Sequence, residues 1–194
     1  MPEQLVFQGF GCEPLPDPTD GLFLALVPPV ATAERIGELI QRLRYSHGLR
    51  GKALSPSRLH LTLHYLGAYN GLPQKLIETV CTAAPAVSVP PFEISFDRAL
   101  SFPNKRQARP LVLRAGRDIV SLTMLHRVMG EAMTRSGLGR WVTPHFTPHM
   151  TLLYDRCLVD EHPIDALGWT VTDFVLVHSL IGRGTHNHLA RWPL

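Results

Sequence analysis

The chain has 194 residues, 45% of them hydrophobic and 18% charged, with a formal net charge of +3. That length suits one domain or two tightly fused lobes around a real core, and the balance is not that of a disordered chain. No apolar run approaches the roughly 20 residues that a membrane helix needs, and a pI near 9.0 permits a phosphate-bearing partner without the charge density of a nucleic-acid coat.

Residues 1–20 read as an irregular leader rich in Pro, Gly and Asp, without the basic and then apolar pattern of a secretory signal. Residues 21–194 read as one folded domain. GLFLALV at 21–27, closed by Pro28 and Pro29, predicts a buried strand. Ile36, Leu39, Ile40 and Leu43 recur at helical spacing and predict a helix over 31–46, stopped at His47-Gly48. A strand is expected over 58–66 and a helix over 72–84, ended by Pro85. The theme then repeats. Strands are expected at 92–96 and 111–115, and a basic loop, FPNKRQARP, runs between them. A helix follows over 119–136, then strands near 149–154, 171–180 and 186–192. Strand–helix–strand in each half predicts an α+β fold of two pseudo-symmetric lobes, each an antiparallel sheet with helices outside and a cleft between them.

One pattern occurs twice. Residues 59–63 read LHLTL and residues 148–152 read PHMTL, so His-x-Thr-apolar recurs in two segments that both look like strands. Strand alternation puts Leu59, Leu61 and Leu63 on a core face and His60 and Thr62 side by side on the other. In the second copy, Met150 and Leu152 take one face and His149 and Thr151 the opposite one. If the lobes pack about a twofold axis, both pairs face one cleft. Two imidazoles across a phosphodiester act as general base and general acid, since histidine titrates near neutrality. Hydroxyls beside them donate to non-bridging oxygens as the phosphorus becomes five-coordinate. The chemistry calls for no metal or other cofactor. The pairs His60/His64 and His145/His149 lie at strand spacing, with no carboxylate in a recognisable zinc pattern.

The paired motifs resemble those of the two-histidine (2H) phosphoesterase superfamily, and within it the bacterial RNA 2′,3′-cyclic phosphodiesterases historically called 2′-5′ RNA ligases. The motifs lie 89 residues apart in LHLTLHYLG and TPHMTLLYD, and LFLALVPP and LARWPL resemble the family's opening strand and ending. The resemblance implies a bilobal phosphoesterase with His60 and His149 as the catalytic acid/base pair and Thr62 and Thr151 on the phosphate. It implies hydrolysis of a 2′,3′-cyclic phosphate at an RNA or nucleotide end to a 2′-phosphate. Many relatives carry a basic residue five positions after the second motif histidine. Tyr154 stands there, and alternation predicts that it packs with Met150 and Leu152. His64 is expected on the catalytic face, at the cleft rim.

Three other readings compete. The same chemistry can serve a small cyclic phosphate, such as ADP-ribose 1″,2″-cyclic phosphate, or a 2′-5′-linked oligonucleotide. The chain can be a non-catalytic RNA- or nucleotide-binding module, although Arg or Lys grips phosphate better than neutral imidazole does. A metal-dependent hydrolase is the third. Phe102, Lys105, Arg106 and Arg109 are candidates to guide an RNA strand, but a solvated basic loop is expected. Arg183, His186 and His188, near a C-terminal hairpin, are further candidates for substrate contact. Cys12, Cys81 and Cys157 are widely spaced without a CxxC pair, so reduced thiols of a cytoplasmic protein are expected. A cleft between internal lobes needs no second chain, so a monomer is expected.

Overall fold

The computed structural model describes residues 17–103, 108–116 and 119–194. Most of the leader, with Cys12, lies outside the described residues, as do Lys105 and Arg106 of the basic loop. The described residues form eight strands and three α-helices, in the order β1 (Asp20–Leu26), α1 (Val30–Ser46), β2 (Leu61–Tyr69), α2 (Gln74–Ala83), β3 (Phe92–Ser101) and β4 (Arg109–Ala115). Then come α3 (Val120–Arg135), β5 (His149–Asp155), β6 (His162–Val171), β7 (Asp173–Leu180) and β8 (Thr185–Pro193). The strands make one antiparallel sheet, β6-β3-β4-β5-β2-β1-β7-β8.

The sheet has two four-stranded wings that meet at β2 and β5, where one registered pair, Leu61 with Met150, joins them. Past that point the wings part. Loop residues 53 and 54 take over the edge of β5: the Leu54 N–H donates to the Leu152 carbonyl at 2.8 Å, and Ala53 bridges Leu153. The lobes do not coincide with the halves of the chain. β7 and β8 return to β1, so the first and last segments build one wing and the middle builds the other.

All three helices pack on one face of the sheet. Ile36 and Ile40 of α1, Val80 of α2, and Leu125 and Met129 of α3 join Leu24, Leu61, Leu113, Met150 and Leu176 in a single buried cluster. Burying one such side chain contributes about 1.5–3 kcal/mol, and this face is the main hydrophobic stabilisation. The opposite face carries a smaller cluster of Phe23, Ala25, Val175 and Val177. The run GLFLALV thus alternates after all, since Leu22, Leu24 and Leu26 face the helices while Phe23 and Ala25 face away. At its start, the Asp20 carboxylate accepts from His178 Nε2 at 2.5 Å and from the Gly71 N–H at 3.0 Å, tying β1 to β7 and to the turn after β2. The Thr19 hydroxyl adds a third donor at 2.5 Å, so both oxygens of this buried carboxylate are hydrogen-bonded.

The helices lie within two residues of their predicted bounds. β2 starts at Leu61 rather than 58, because Pro56–Arg58 form a tight 3-10 turn with Pro56 at its start. β6 was not expected. It is the outer strand of its wing and carries Pro163, and only its end alternates, with Leu167, Trp169 and Val171 buried.

His64 corrects the alternation argument. Leu24 pairs with His64 and Ala25 with Thr62, which leaves Leu63 as a bulge. A bulge adds one residue and shifts the phase of every side chain beyond it. His64 therefore turns away from the face that carries His60 and Thr62 and is fully buried. Its Nε2–H donates to the His126 carbonyl at 3.0 Å, and its ring stacks at 4.2 Å on His126, which stacks in turn on Phe146. Gly130 makes room for this stack. A Cβ there would lie 3.0 Å from Val142 and 3.5 Å from the His64 ring.

Burial lowers the pKa of His64, and burial with the neighbouring His64 takes that of His126 down to about 4. Both rings are neutral in the fold, whereas the unfolded chain takes up their protons below pH 6.5, so stability falls as the pH drops from there towards 4. Melting scans over this range should show that decline, and His126→Leu should flatten it. An unchanged slope in the variant would contradict a neutral stack.

Candidate active site

His60 directly precedes β2 and His149 opens β5. The two strands are antiparallel about the Leu61–Met150 pair, so a local twofold axis through that pair relates His60 to His149 and Thr62 to Thr151. Strand spacing of about 4.8 Å and a rise of about 3.4 Å per residue put the two histidine backbones about 8 Å apart on the diagonal. A tetrahedral phosphate fits between imidazoles carried at that separation. Thr62 pairs with Ala25 and Thr151 with Val112, and both threonines are half-buried on the face away from the helices.

The histidines are held alike. His60 Nδ1 lies 2.7 Å from the Arg58 carbonyl, and His149 Nδ1 lies 2.7 Å from the Thr147 carbonyl. A carbonyl oxygen only accepts, so Nδ1 carries the proton in both rings and Nε2 is left for the cleft. Each ring also leans on a phenylalanine. Phe23 stacks on His60 with centroids 4.7 Å apart, and Phe102 meets His149 edge-on at 4.9 Å. The carbonyl and the aromatic wall together restrict ring rotation, which is what a proton-transfer group requires.

The environments are not identical. His186 on β8 approaches His60 edge-on at 5.1 Å, so His60 is enclosed by Phe23 and His186. Burial is the main cause of its lowered pKa, and the positive charge of Arg58 and the neighbouring His149 act in the same direction. The neutral form of His60 is favoured, although the Arg58 carbonyl opposes the shift by stabilising the imidazolium.

Of the other candidates, Phe102 supports His149 rather than standing free for an RNA strand. The Arg109 guanidinium donates to the Arg156 carbonyl at 2.8 Å. His186 is brought to His60, whereas Arg183 sits in the exposed turn before β8. His145 is exposed, and Thr147 contributes its carbonyl rather than its hydroxyl.

Tyr154 departs from the expectation of packing. Val112 pairs with Thr151 and Leu111 with Leu153, leaving Leu152 as a bulge at the position equivalent to Leu63. Leu152 and Leu153 are both buried, and Tyr154 emerges 51% exposed, as Tyr65 does at 52% after the bulge in β2. Both tyrosines stand five positions after their motif histidine, thrown out of the core by matching irregularities.

Sequence reasoning missed Phe23, the Arg58 carbonyl and Asp155. Alternation within 21–27 would have placed Phe23 on the His60 side. Asp155 left no such signal. Its carboxylate accepts from the backbone N–H groups of Arg50, Gly51 and Cys157 at 2.7, 2.5 and 2.9 Å, and these bonds hold its pKa below the usual carboxylate value against the cost of burial. They clasp the loop over the end of β5. Gly51 is required there, because a Cβ would lie 2.1 Å from the Tyr154 carbonyl oxygen.

A sequence profile of the 2′-5′ RNA ligase superfamily matches residues 28–180. Among solved structures, one described as a phosphoesterase is 26% identical, with a TM-score of 0.71 over 90% of this chain and 98% of its own. LigT of Escherichia coli in complex with ATP is 28% identical, with a TM-score of 0.69 over 92% of this chain and 99% of its own. The LigT complex with 3′-AMP is 26% identical at the same coverage, with a TM-score of 0.65. No curated protein sequence matches the chain.

The backbone carbonyls behind both rings predict one tautomer for each. Long-range ¹H–¹⁵N spectra above pH 7.5 should show His60 and His149 protonated at Nδ1 and free at Nε2. The Nε2–H tautomer at either residue would contradict the geometry.

Proposed function

Because the chain belongs to the 2′-5′ RNA ligase superfamily of two-histidine phosphoesterases, we propose that it is a cyclic phosphodiesterase that opens 2′,3′-cyclic phosphates at RNA or nucleotide ends. The observation that carries this reading is the twofold-related pair of carbonyl-backed imidazoles, each with a threonine on the same face. The likeness to LigT, whose structures hold ATP, NADP+ and 3′-AMP, supports a nucleotide as substrate. The whole site belongs to one chain, so the protein acts as a monomer in this reading, and Cys81 and Cys157, free among the described residues, fit a cytoplasmic setting. Among the described residues no helix is long and apolar enough to cross a membrane.

In the proposed reaction, the cyclic phosphate lies between the two Nε2 atoms. The neutral histidine takes a proton from water, and the water oxygen forms a new bond to phosphorus. Thr62 and Thr151 donate to the non-bridging oxygens as negative charge grows on them. The bond from phosphorus to the 3′-oxygen breaks, and the protonated histidine gives its proton to that oxygen, leaving a 2′-phosphate. The imidazoles supply both proton transfers, each worth about 10²–10⁴ in rate. We assign the base to His60, because its enclosure favours the neutral form.

Purified protein should open 2′,3′-cyclic nucleotides in the presence of EDTA. His60→Ala or His149→Ala should each lower kcat by about 10²–10⁴, and Thr62→Ala or Thr151→Ala by less. Undiminished turnover in both histidine variants would overturn the assignment. Assays on cyclic RNA ends beside ADP-ribose 1″,2″-cyclic phosphate identify the preferred substrate.

The roles also separate by pH. With His60 as base, kcat/KM falls on the acidic side through a pKa below 6.5. With His60 as acid, activity would instead be lost as the pH rises through that value. A pH–rate profile of kcat/KM distinguishes the two.

A further inference from the structure

Beside His60, on the far side of His186, a cavity of about 750 Å³ opens where α1 begins. That volume lies within the range of small-molecule sites. Val27, Pro28 and Trp169 supply apolar walls, and His186, His188 and Asp173 supply polar groups. His186 is shared between the two, its ring centroid 5.1 Å from that of His60 and its side chain among those lining the cavity. The cavity therefore adjoins the His60 side of the site through this one residue.

The charge of the lining selects what enters. Glu34 and Asp173 are its carboxylates and Arg191 its one guanidinium, and that guanidinium is held by Asp173 at 2.6 Å. Burial and the nearby charges of His60 and Arg58 take the pKa of His186 down to about 4. Burial, with Arg191 beside it, also lowers that of His188. Both imidazoles are neutral at pH 7, each with a donor and an acceptor. A second phosphate would meet carboxylates without a free cation in the lining. A flat, uncharged heterocycle would meet apolar walls and neutral hydrogen-bonding rings.

We propose that this cavity is the nucleoside subsite, holding the base of the nucleotide whose phosphate lies between His60 and His149. The proposal rests on the phosphodiesterase reading for the position of the phosphate. It makes the base part of recognition, so that a sugar phosphate lacking one is a poor ligand.

Titration calorimetry with adenosine 2′-phosphate and ribose 2-phosphate tests this through the ratio of the two affinities. The native chain should prefer the nucleotide by about tenfold or more. Val30→Trp, which places a large ring in the cavity mouth from the exposed first turn of α1, and His188→Ala should each cut that ratio severalfold. Equal affinities in the native chain, no binding of either ligand, or variants that weaken both ligands equally would overturn the subsite. A preserved ratio without any opening of cyclic nucleotides would overturn the phosphodiesterase reading alone.

Discussion

One backbone pairing, Leu61 with Met150, joins the two wings of the sheet, and the arrangement of the site depends on it. Both side chains are fully buried beneath the sheet, so the histidine and threonine on either side of each are turned to the open face. Antiparallel pairing at this one point generates the local twofold. It places two imidazoles diagonally across a short gap, where His149 adds to the lowering of the His60 pKa.

Matching irregularities support this geometry. In each motif the residue after the threonine, Leu63 or Leu152, bulges out of the ladder. The bulge gives the core two consecutive residues, His64 after Leu63 and Leu153 after Leu152, and sends a tyrosine outward three residues after the threonine. Local twist increases at a bulge, which suits strands that must part immediately after meeting. The loop that fills the opening is fastened by Asp155 through three backbone N–H groups. Charge-assisted bonds of this kind are stronger than neutral ones, so the cleft has a fixed edge on the β5 side.

The site distributes its electrostatics unequally over a symmetric frame. Both histidines donate from Nδ1 to a carbonyl and both rest on a phenylalanine, but only His60 has a further imidazole at its edge. Its enclosure favours the neutral ring. Burial also lowers the pKa of His186, so the imidazole it turns to the space beyond is uncharged. A difference in burial between two equivalent positions thus distinguishes the chemistry of the two sides of the cleft.

Much of this was legible in the sequence because it is local. Helical spacing located α1, α2 and α3, and alternation put His60 with Thr62 and His149 with Thr151 on faces opposite their leucines and methionine. Alternation failed at His64 and Tyr154, since a bulge is decided by how two strands meet and a one-residue shift reverses every side chain after it. It also gave no hint of β6, an edge strand whose buried alternation is confined to Leu167, Trp169 and Val171 at its end. The sequence by itself determined which residue types could perform acid–base chemistry, and that they came as two equal sets. Only the tertiary structure decided their distance, tautomer and shielding. Those depend on one pairing between distant strands, on carbonyls two residues away, and on Phe23, Phe102 and His186 brought in from other elements.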